Sequence, residues 1–327
     1  MIIRQSRRLL LLGAASIVVV AGCASGTSLV TSPTNTTVHD TTSHDTTVHD
    51  TTVHDTAVHD TTVPTTDGPR ATTTVAGTET GTQFPSGKQT ISLTVNGTTR
   101  TAVVVVPADL TKPAPLVFAF HGHGGTGKYF DRRMNIEGLW PRAIVMYPDG
   151  VVGHKGITDP EGIKTGWQTV PGENGDQDLA FYDALLADLN AKTSVDHDRV
   201  YLMGHSNGSG FVALLLNRRG DPIAATANMS GQPGIYLRTD PPRSMFMSMG
   251  QNDPLVPYAN QRRSVPLAEE RIGADPATAQ VDGYLRTETG RGNLELAVYD
   301  YPGGHEPPAE VPALIVSFFQ RHNLSGG

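Results

Sequence analysis

The sequence is short of cysteine, of basic residues and, in one long segment, of aromatic residues. One cysteine in 327 residues excludes an intramolecular disulfide framework. Lys and Arg number 25 against 32 Asp and Glu, a formal net charge of −7, so the chain lacks the overall basic field that holds nucleic acid. No Phe, Tyr or Trp lies between Cys23 and Phe84. That segment therefore has too little apolar mass to build a core.

The first 22 residues have the composition of an export signal. Basic residues (Arg4, Arg7, Arg8) precede an apolar run over 9–20 that is too short to span a bilayer comfortably. Val20-Ala21-Gly22-Cys23 then resembles the lipobox of bacterial lipoproteins, whose cysteine is acylated. We therefore expect residues 1–22 to be removed, Cys23 to carry lipid, and the protein to be anchored at the outer face of the membrane or in the cell wall. A cleaved secretory peptide with an incidental cysteine is the alternative. Ser6-Arg7-Arg8-Leu9-Leu10 also resembles a twin-arginine export signal, which leaves the export route open.

Residues 23–83 form a low-complexity segment. From Thr36 the sequence repeats every five residues as TTVHD with small variations, which spaces five histidines evenly (His39, His44, His49, His54, His59). This spacing suits neither a helix face nor a short chelating loop, so a metal site is disfavoured. The composition predicts a disordered spacer between the anchor and a folded domain.

Residues 84–327 alternate between strand and helix patterns. Asn96-Gly97 between two β-rich runs predicts a hairpin, 90–95 with 101–106. Apolar runs predict further strands at 116–120, 143–147, 199–203, 224–229, 243–249 and 294–299. Helices are predicted at 178–192, 211–216 and 312–322. This alternation predicts an α/β domain with a mostly parallel sheet and helices on both faces.

One serine lies between two glycines in Gly204-His205-Ser206-Asn207-Gly208. A predicted strand precedes it and a predicted helix follows, which is the setting of a nucleophile elbow. The turn is so sharp that side chains two residues before and after the serine would clash. The sequence therefore predicts Ser206 as a nucleophile rather than part of an incidental small-residue turn.

A serine nucleophile needs a base and an orienting carboxylate, and in this architecture the chain order is Ser, acid, His. His305, in a loop after a predicted strand, is favoured over His322 in the terminal helix. Asp253 follows the strand 243–249 and is favoured as the acid. Asp300 and Asp240 are the competitors.

The oxyanion hole needs two N–H donors. The glycine-rich stretch His121-Gly122-His123-Gly124-Gly125 ends a predicted strand, so the main-chain N–H of His123 is one candidate, with that of Asn207 as the other. The imidazoles of His121 and His123 have no nearby Cys, Asp or Glu in sequence, so no metal is expected.

The order of these motifs resembles a known family. VFAFHGHGG, YPDG, GWQT, RVYLMGHSNGSG, GQNDPLVPY and PGGH are similar to the esterases that include polyhydroxybutyrate depolymerases and feruloyl or acetylxylan esterases, over nearly all of 88–325. The resemblance implies an α/β-hydrolase fold, no cofactor and a triad of Ser206, Asp253 and His305. The resemblance does not indicate which acyl group of the substrate is recognised. Family members often have disulfides around the site, and this chain has none.

The expected partner is a carboxylic ester, linked to a polysaccharide or polyester or small and soluble, rather than bulk lipid. Loops at 150–177 and 255–292 are expected to shape the cleft, and Trp167 is a candidate for stacking on a sugar or phenolic ring or for anchoring its loop. An acyltransferase with the same triad, a serine peptidase and a non-enzymatic surface binder are the alternatives.

Overall fold

The computed structural model describes residues 83–326. The predicted signal segment, Cys23 and the repeats lie outside the described residues, apart from Gln83 at the edge of the predicted spacer. Among residues 83–326, no helix has the length and apolar character needed to span a membrane.

A mixed sheet runs through the described part of the chain. Its strands are β1 (Gly87–Val95), β2 (Thr98–Val106), β3 (Ala114–Phe120), β4 (Ile144–Pro148), β5 (Val195–His205), β6 (Ile223–Met229), β7 (Ser244–Gly250), β8 (Gln280–Asp282), β9 (Leu285–Thr289) and β10 (Glu295–Tyr301), in the spatial order β1-β2-β4-β3-β5-β6-β7-β10-β9-β8. The six central strands, β4 to β10 in that order, are parallel, and the strands at each edge are antiparallel. This confirms the predicted hairpin and the mostly parallel sheet.

Helices cover both faces of the sheet. They are α1 (Gly127–Met134), α2 (Ile136–Leu139), α3 (Gln177–Lys192), α4 (Asn207–Arg219), α5 (Tyr258–Arg262), α6 (Ser264–Ile272) and α7 (Val311–Gln320). Alternate residues of β3 separate the two cores: Leu116 and Phe118 pack with α3 and α4, whereas Val117 and Ala119 pack on the side of α1, α2 and α7. Strands buried on both faces explain the continuous apolar runs in the sequence.

Two segments differ from the prediction. Helix α4 begins directly at Asn207, four residues before the predicted start. Polar and small residues occupy its first turn, so the apolar pattern in the sequence begins only after it. The segment 255–292, predicted as a polar loop, contains α5, α6, β8 and β9. Helix α6 places Val265, Ala268 and Ile272 against β7 and β10, and β9 extends the sheet beside β10. The segment 255–292 has few apolar residues, so their spacing in the sequence does not by itself predict a helix. Packing of those residues against the sheet stabilises α6.

Candidate active site

Ser206 occupies a strained turn between β5 and α4. Strand β5 ends at His205 and α4 begins at Asn207, so Ser206 is the single residue between the two elements. Its φ is 54° and its ψ is −116°, a region that residues with a Cβ rarely adopt. The strand-turn-helix setting expected for a nucleophile elbow is therefore present.

The two flanking glycines are required by backbone contacts. A Cβ on Gly204 would lie 2.3 Å from the carbonyl oxygen of Gly208. A Cβ on Gly208 would lie 2.4 Å from the carbonyl oxygen of Phe120, at the end of β3. No side chain fits at either position, because the obstructing atoms belong to the backbone. The crowding expected from the sequence is thus confirmed at both glycines.

His305 and Asp253 are brought together from two loops at the carboxyl edge of the sheet. Asp253 follows β7 and His305 follows β10. The Nδ1 atom of His305 lies 2.8 Å from Oδ2 of Asp253. An ionised carboxylate can only accept, so Nδ1 carries the proton and donates it to Asp253. This leaves Nε2 of His305 as the basic nitrogen.

The carboxylate of Asp253 accepts four hydrogen bonds. Oδ1 accepts from the backbone N–H groups of Leu255, at 2.8 Å, and Val256, at 2.9 Å. Oδ2 accepts from Nε2 of Gln261, at 2.8 Å, as well as from His305. Burial alone would raise the pKa of Asp253, but the hydrogen bonds from His305, Val256 and Leu255 outweigh it and hold the pKa below its usual value. Asp253 is therefore ionised at neutral pH.

The loop that carries His305 is fixed to the loop that carries Asp253. The backbone N–H of Asn252 donates to the carbonyl of Gly303 at 2.9 Å, and its side-chain amide donates to the carbonyl of Pro302 at 2.8 Å. A Cβ on Gly250 would lie 2.0 Å from the carbonyl oxygen of Gly304, so β7 ends in direct backbone contact with this loop. These contacts hold the imidazole and the carboxylate in register.

His205 contacts the His305 loop from the other side. Its Nε2 atom donates to the backbone carbonyl of His305 at 3.0 Å, and the two imidazole centroids lie 4.8 Å apart. Burial lowers the pKa of His205, so its ring is neutral and holds one proton, on Nε2. The sequence does not indicate this contact, because His205 has no distinguishing feature beyond its place beside Ser206.

The glycine-rich loop after β3 approaches the same turn. The N–H groups of His123 and Asn207 have no protein acceptor among residues 83–326, and Asn207 is the first residue of α4. The imidazole of His123 donates from Nε2 to Asp159 at 2.9 Å and is enclosed by Gly156 and Gly166, where a Cβ would lie within 3.0 Å of the ring. Asn207 binds the backbone of Trp167 through both side-chain atoms, Oδ1 to N–H at 2.7 Å and Nδ2 to C=O at 3.0 Å. These contacts fix both residues at the edge of the cleft.

The interpretation of Trp167 as a substrate-stacking residue is wrong. Its side chain is fully buried and does not line the cavity at Ser206. The indole stacks on Phe211, meets Phe120 edge to face, and donates from Nε1 to the carbonyl of His121 at 3.0 Å. Trp167 therefore anchors its loop beneath the glycine-rich loop. Burying the large apolar surface of the indole is more favourable than exposing it to solvent at the cleft.

A cavity of about 1010 Å³ opens at this edge of the sheet. Ser206, His305, His123 and Asn207 all line it. Four exposed apolar side chains also line it and belong to separate segments: Tyr129, Ile157, Val170 and Leu255. Of the segment 255–292, only Leu255 and Val256 reach the cavity, so the expectation that this segment shapes the cleft holds for its first two residues alone. The first predicted loop, 150–177, contributes five residues (Lys155, Gly156, Ile157, Thr158, Thr169) besides Val170.

The alternative candidates for the triad acid and base make contacts away from Asp253 and His305. Asp300 pairs with Arg262 at 3.0 Å. Asp240 is buried beside Asn217, and burial raises its pKa to about 7. His322 contacts Glu295 and the carbonyl of Phe318, at the opposite edge of the sheet from the cavity. Within the described residues, no cluster of three or more His, Cys, Asp or Glu side chains is arranged to hold a metal ion.

A buried ionic cluster also lies behind the cleft. Asp178 accepts from Arg100, at 2.8 Å, and from His154, at 2.9 Å, while the other ring nitrogen of His154 binds Glu173 at 2.9 Å. Burial alone would lower the pKa of His154, but the hydrogen bonds to Asp178 and Glu173 raise it above its usual value. The cluster ties the loop that carries Lys155 and Ile157 to the start of α3. Its members are 19 to 78 residues apart in pairs, so no local pattern could reveal them.

The chain matches no family model, but it is similar to esterases. It is 26% identical over 226 residues to the probable feruloyl esterase C of Aspergillus niger, covering 65% of this chain and 77% of that protein. It is 27% identical over 229 residues to the feruloyl esterase C of Emericella nidulans, with the same two coverages.

Among solved structures, the acetyl xylan esterase from Aspergillus awamori superposes with a TM-score of 0.55 at 16% identity, over 71% of this chain and 99% of that one. At this identity the likeness shows the fold alone, which is the α/β-hydrolase fold expected from the sequence. With that fold and with esterases as its sequence relatives, the chain is a carboxylic ester hydrolase.

Proposed function

We propose that the chain is a serine esterase in which Ser206 is the nucleophile, His305 the general base and Asp253 the orienting carboxylate. One observation carries the proposal: His305, which lines the same cavity as Ser206, donates to an ionised Asp253 at 2.8 Å. Nucleophile, base and carboxylate also follow the chain order typical of the α/β-hydrolase fold. Acyl transfer to serine is the chemistry that this arrangement supports best.

Each group has a defined task in the reaction. Nε2 of His305 takes the proton of the Ser206 hydroxyl as its oxygen attacks the ester carbonyl. Asp253 keeps the proton of His305 on Nδ1 and stabilises the imidazolium that forms. The imidazolium then protonates the departing alcohol, which leaves an acyl group on Ser206. Water, deprotonated by His305, releases the acid and restores the serine.

The N–H groups of His123 and Asn207 are proposed to bind the oxyanion. Both residues line the cavity, and neither amide has a protein acceptor among the described residues. The amide of Asn207 also begins α4, so the helix dipole adds positive potential there. Donors held in place by the contacts of His123 with Asp159 and of Asn207 with Trp167 need no reorganisation when charge develops.

The substrate is proposed to be an ester with an apolar or aromatic acyl group on a polar alcohol, such as a feruloyl ester of a polysaccharide. Tyr129, Ile157, Val170 and Leu255 are exposed and line the cavity, which favours an apolar group of the substrate there. Lys155 and Arg133 line the same cavity and offer donors to hydroxyl groups. The feruloyl esterases among the sequence relatives support the same substrate class.

Steady-state kinetics on p-nitrophenyl esters and methyl ferulate test both the residues and the substrate. Ser206→Ala should lower kcat by at least about 1,000-fold. Ser209→Ala is a matched control, because the Ser209 hydroxyl binds Asn228 at 3.1 Å rather than lining the cavity. Undiminished turnover by Ser206→Ala would overturn the assignment. Faster hydrolysis of long-chain triglyceride than of feruloyl esters would overturn the substrate class, and preferential transfer to glycerol over water would show an acyltransferase.

The protein is further proposed to act outside the cell, anchored through lipid on Cys23 after removal of residues 1–22. The support is the sequence Val20-Ala21-Gly22-Cys23 behind a basic and apolar leader. Wild-type protein should partition into the detergent phase of a cloud-point extraction, and Cys23→Ala should remain in the aqueous phase. Equal partition of the two proteins would contradict the anchor.

A further inference from the structure

The geometry points to an anion-binding site at the amino-terminal ends of the parallel strands, on the side of the sheet opposite the candidate active site. The site suits a multivalent phosphoryl compound such as pyrophosphate. A cavity of about 530 Å³ lies there, within the range of small-molecule sites. Basic side chains from four separate segments line it: Arg243, Arg271, Arg291, Arg321 and His322. Glu295 is its one acidic lining residue among the described part of the chain.

The cavity is remote from the proposed catalytic residues. Arg243 precedes β7 and Glu295 is the first residue of β10, whereas Asp253 and His305 follow the carboxyl ends of the same two strands. Because β7 and β10 are parallel and about seven residues long, the two sites are separated by about 20 Å. A ligand in this cavity therefore has no direct contact with the ester.

The positive charge of the cavity is largely uncompensated. Glu295 accepts from Arg321 through both oxygens and lies 3.5 Å from His322. Burial alone would raise the pKa of Glu295, but these partners lower it to about 2, so its single charge is already engaged. Arg243, Arg271 and Arg291 form no ion pair within residues 83–326. Among the residues described, Arg243, Arg271 and Arg291 thus share one concave surface with a single carboxylate, Glu295, which is already paired with Arg321.

Backbone contacts hold two of these arginines in place. Arg243 donates to the carbonyls of Ile223 and Gly220, and Arg291 donates to the carbonyl of Arg271 at 3.5 Å. Nε of Arg271 is buried and has no hydrogen-bond partner in the described part of the chain. Because that nitrogen is inaccessible to solvent, an oxyanion in the cavity would be bound by the terminal guanidinium nitrogens instead.

Guanidinium groups recognise oxyanions by paired N–H donors in a fixed fork, and phosphoryl oxygens suit this geometry. Several arginines around one cavity favour a ligand with more than one charge. The overall charge of −7 disfavours anions over the surface as a whole, so attraction at this cavity has to be local. These points together favour pyrophosphate over a singly charged anion.

Isothermal titration calorimetry of the folded protein with pyrophosphate tests the site. Wild type should bind saturably at low ionic strength and more weakly at high ionic strength. Arg271→Gln and Arg291→Gln should each weaken binding about tenfold. Arg142→Gln is the charge-matched control, because Arg142 is an exposed residue before β4 that does not line the cavity; it should bind as wild type does.

Three results would overturn the proposal: no binding by wild type, equal weakening by Arg142→Gln, or equally tight binding of citrate, which would show a carboxylate site. Arg271→Gln keeps the test decisive if Arg291→Gln does not fold. Hydrolysis of p-nitrophenyl esters should be unchanged in both variants, because the two cavities lie at opposite edges. The outcome is therefore independent of the proposed esterase mechanism.

Discussion

Nε2 of His205 donates a hydrogen bond to the backbone carbonyl of His305 at 3.0 Å. The residue immediately before the proposed nucleophile therefore holds the loop that carries the proposed base. Because burial keeps the His205 ring neutral, the contact is a single neutral hydrogen bond rather than an ion pair. His205 acts through His305 and is a positioning residue.

We expect His205→Leu to lower kcat on p-nitrophenyl esters by about 10- to 100-fold with little change in KM, because a small displacement of the base slows proton transfer. His205→Gln places an amide donor where Nε2 lies and should restore kcat to within about threefold of wild type. Steady-state kinetics of the two variants measure this difference. Equal losses of kcat in both, or a rise in KM alone, would contradict the positioning role.

Strain at Ser206 predicts an unusual order of stability. At φ 54° and ψ −116° a Cβ is disfavoured, so Ser206→Gly should be more stable than Ser206→Ala by about 1 kcal/mol, although neither has a hydroxyl. At Ser209, inside α4, the order should reverse, with glycine less stable than alanine by about 1 kcal/mol. Urea unfolding of the four variants checks both signs. The same order at both positions would contradict strain at Ser206.

The cluster around His154 predicts a pH dependence of stability. Its pKa is raised in the folded state by Asp178 and Glu173, with Asn174 also in contact. The stabilisation is therefore complete below pH 6.5 and is lost as the pH rises through the raised pKa. His154→Gln should be less stable than wild type at pH 6, and the difference should narrow toward pH 9 in thermal unfolding. A constant difference across this range would show that the charge of His154 does not contribute.

Trp167 should behave as a structural residue. Trp167→Phe keeps an aromatic ring beside Phe211 but loses the hydrogen bond to His121, so it should lower the free energy of unfolding by about 1–3 kcal/mol. KM for methyl ferulate should change by less than about twofold. A tenfold rise in KM at unchanged stability would restore the interpretation of Trp167 as a substrate contact.

Local sequence signals predict much of the fold. The central strands are apolar on both faces and are bounded by turn residues, and the crowding at Gly204 and Gly208 follows from the geometry of one turn. Ser206, Asp253 and His305 were selected by their place after strands and by their order in the chain. The structure places Asp253 and His305 in contact at the carboxyl edge of the sheet, and His305 lines the same cavity as Ser206.

Tertiary contacts explain what the sequence could not indicate. A tryptophan in a glycine-rich loop has the same local pattern whether it faces a ligand or fills the core, and only the rings of Phe120 and Phe211 decide the position of Trp167. The partners of His154 and the concentration of arginines at Arg243, Arg271 and Arg291 likewise arise from residues distant in the chain. Helix α6 was missed for the same reason.

Covalent labelling with a fluorophosphonate tests the central claim most directly. Peptide mapping of the labelled wild-type protein should locate one adduct, on Ser206, together with loss of esterase activity in proportion to labelling. Ser206→Ala should remain unlabelled, and Ser209→Ala should label as wild type does. An active enzyme that is not labelled, or is labelled at another residue, would contradict the assignment of Ser206 as nucleophile.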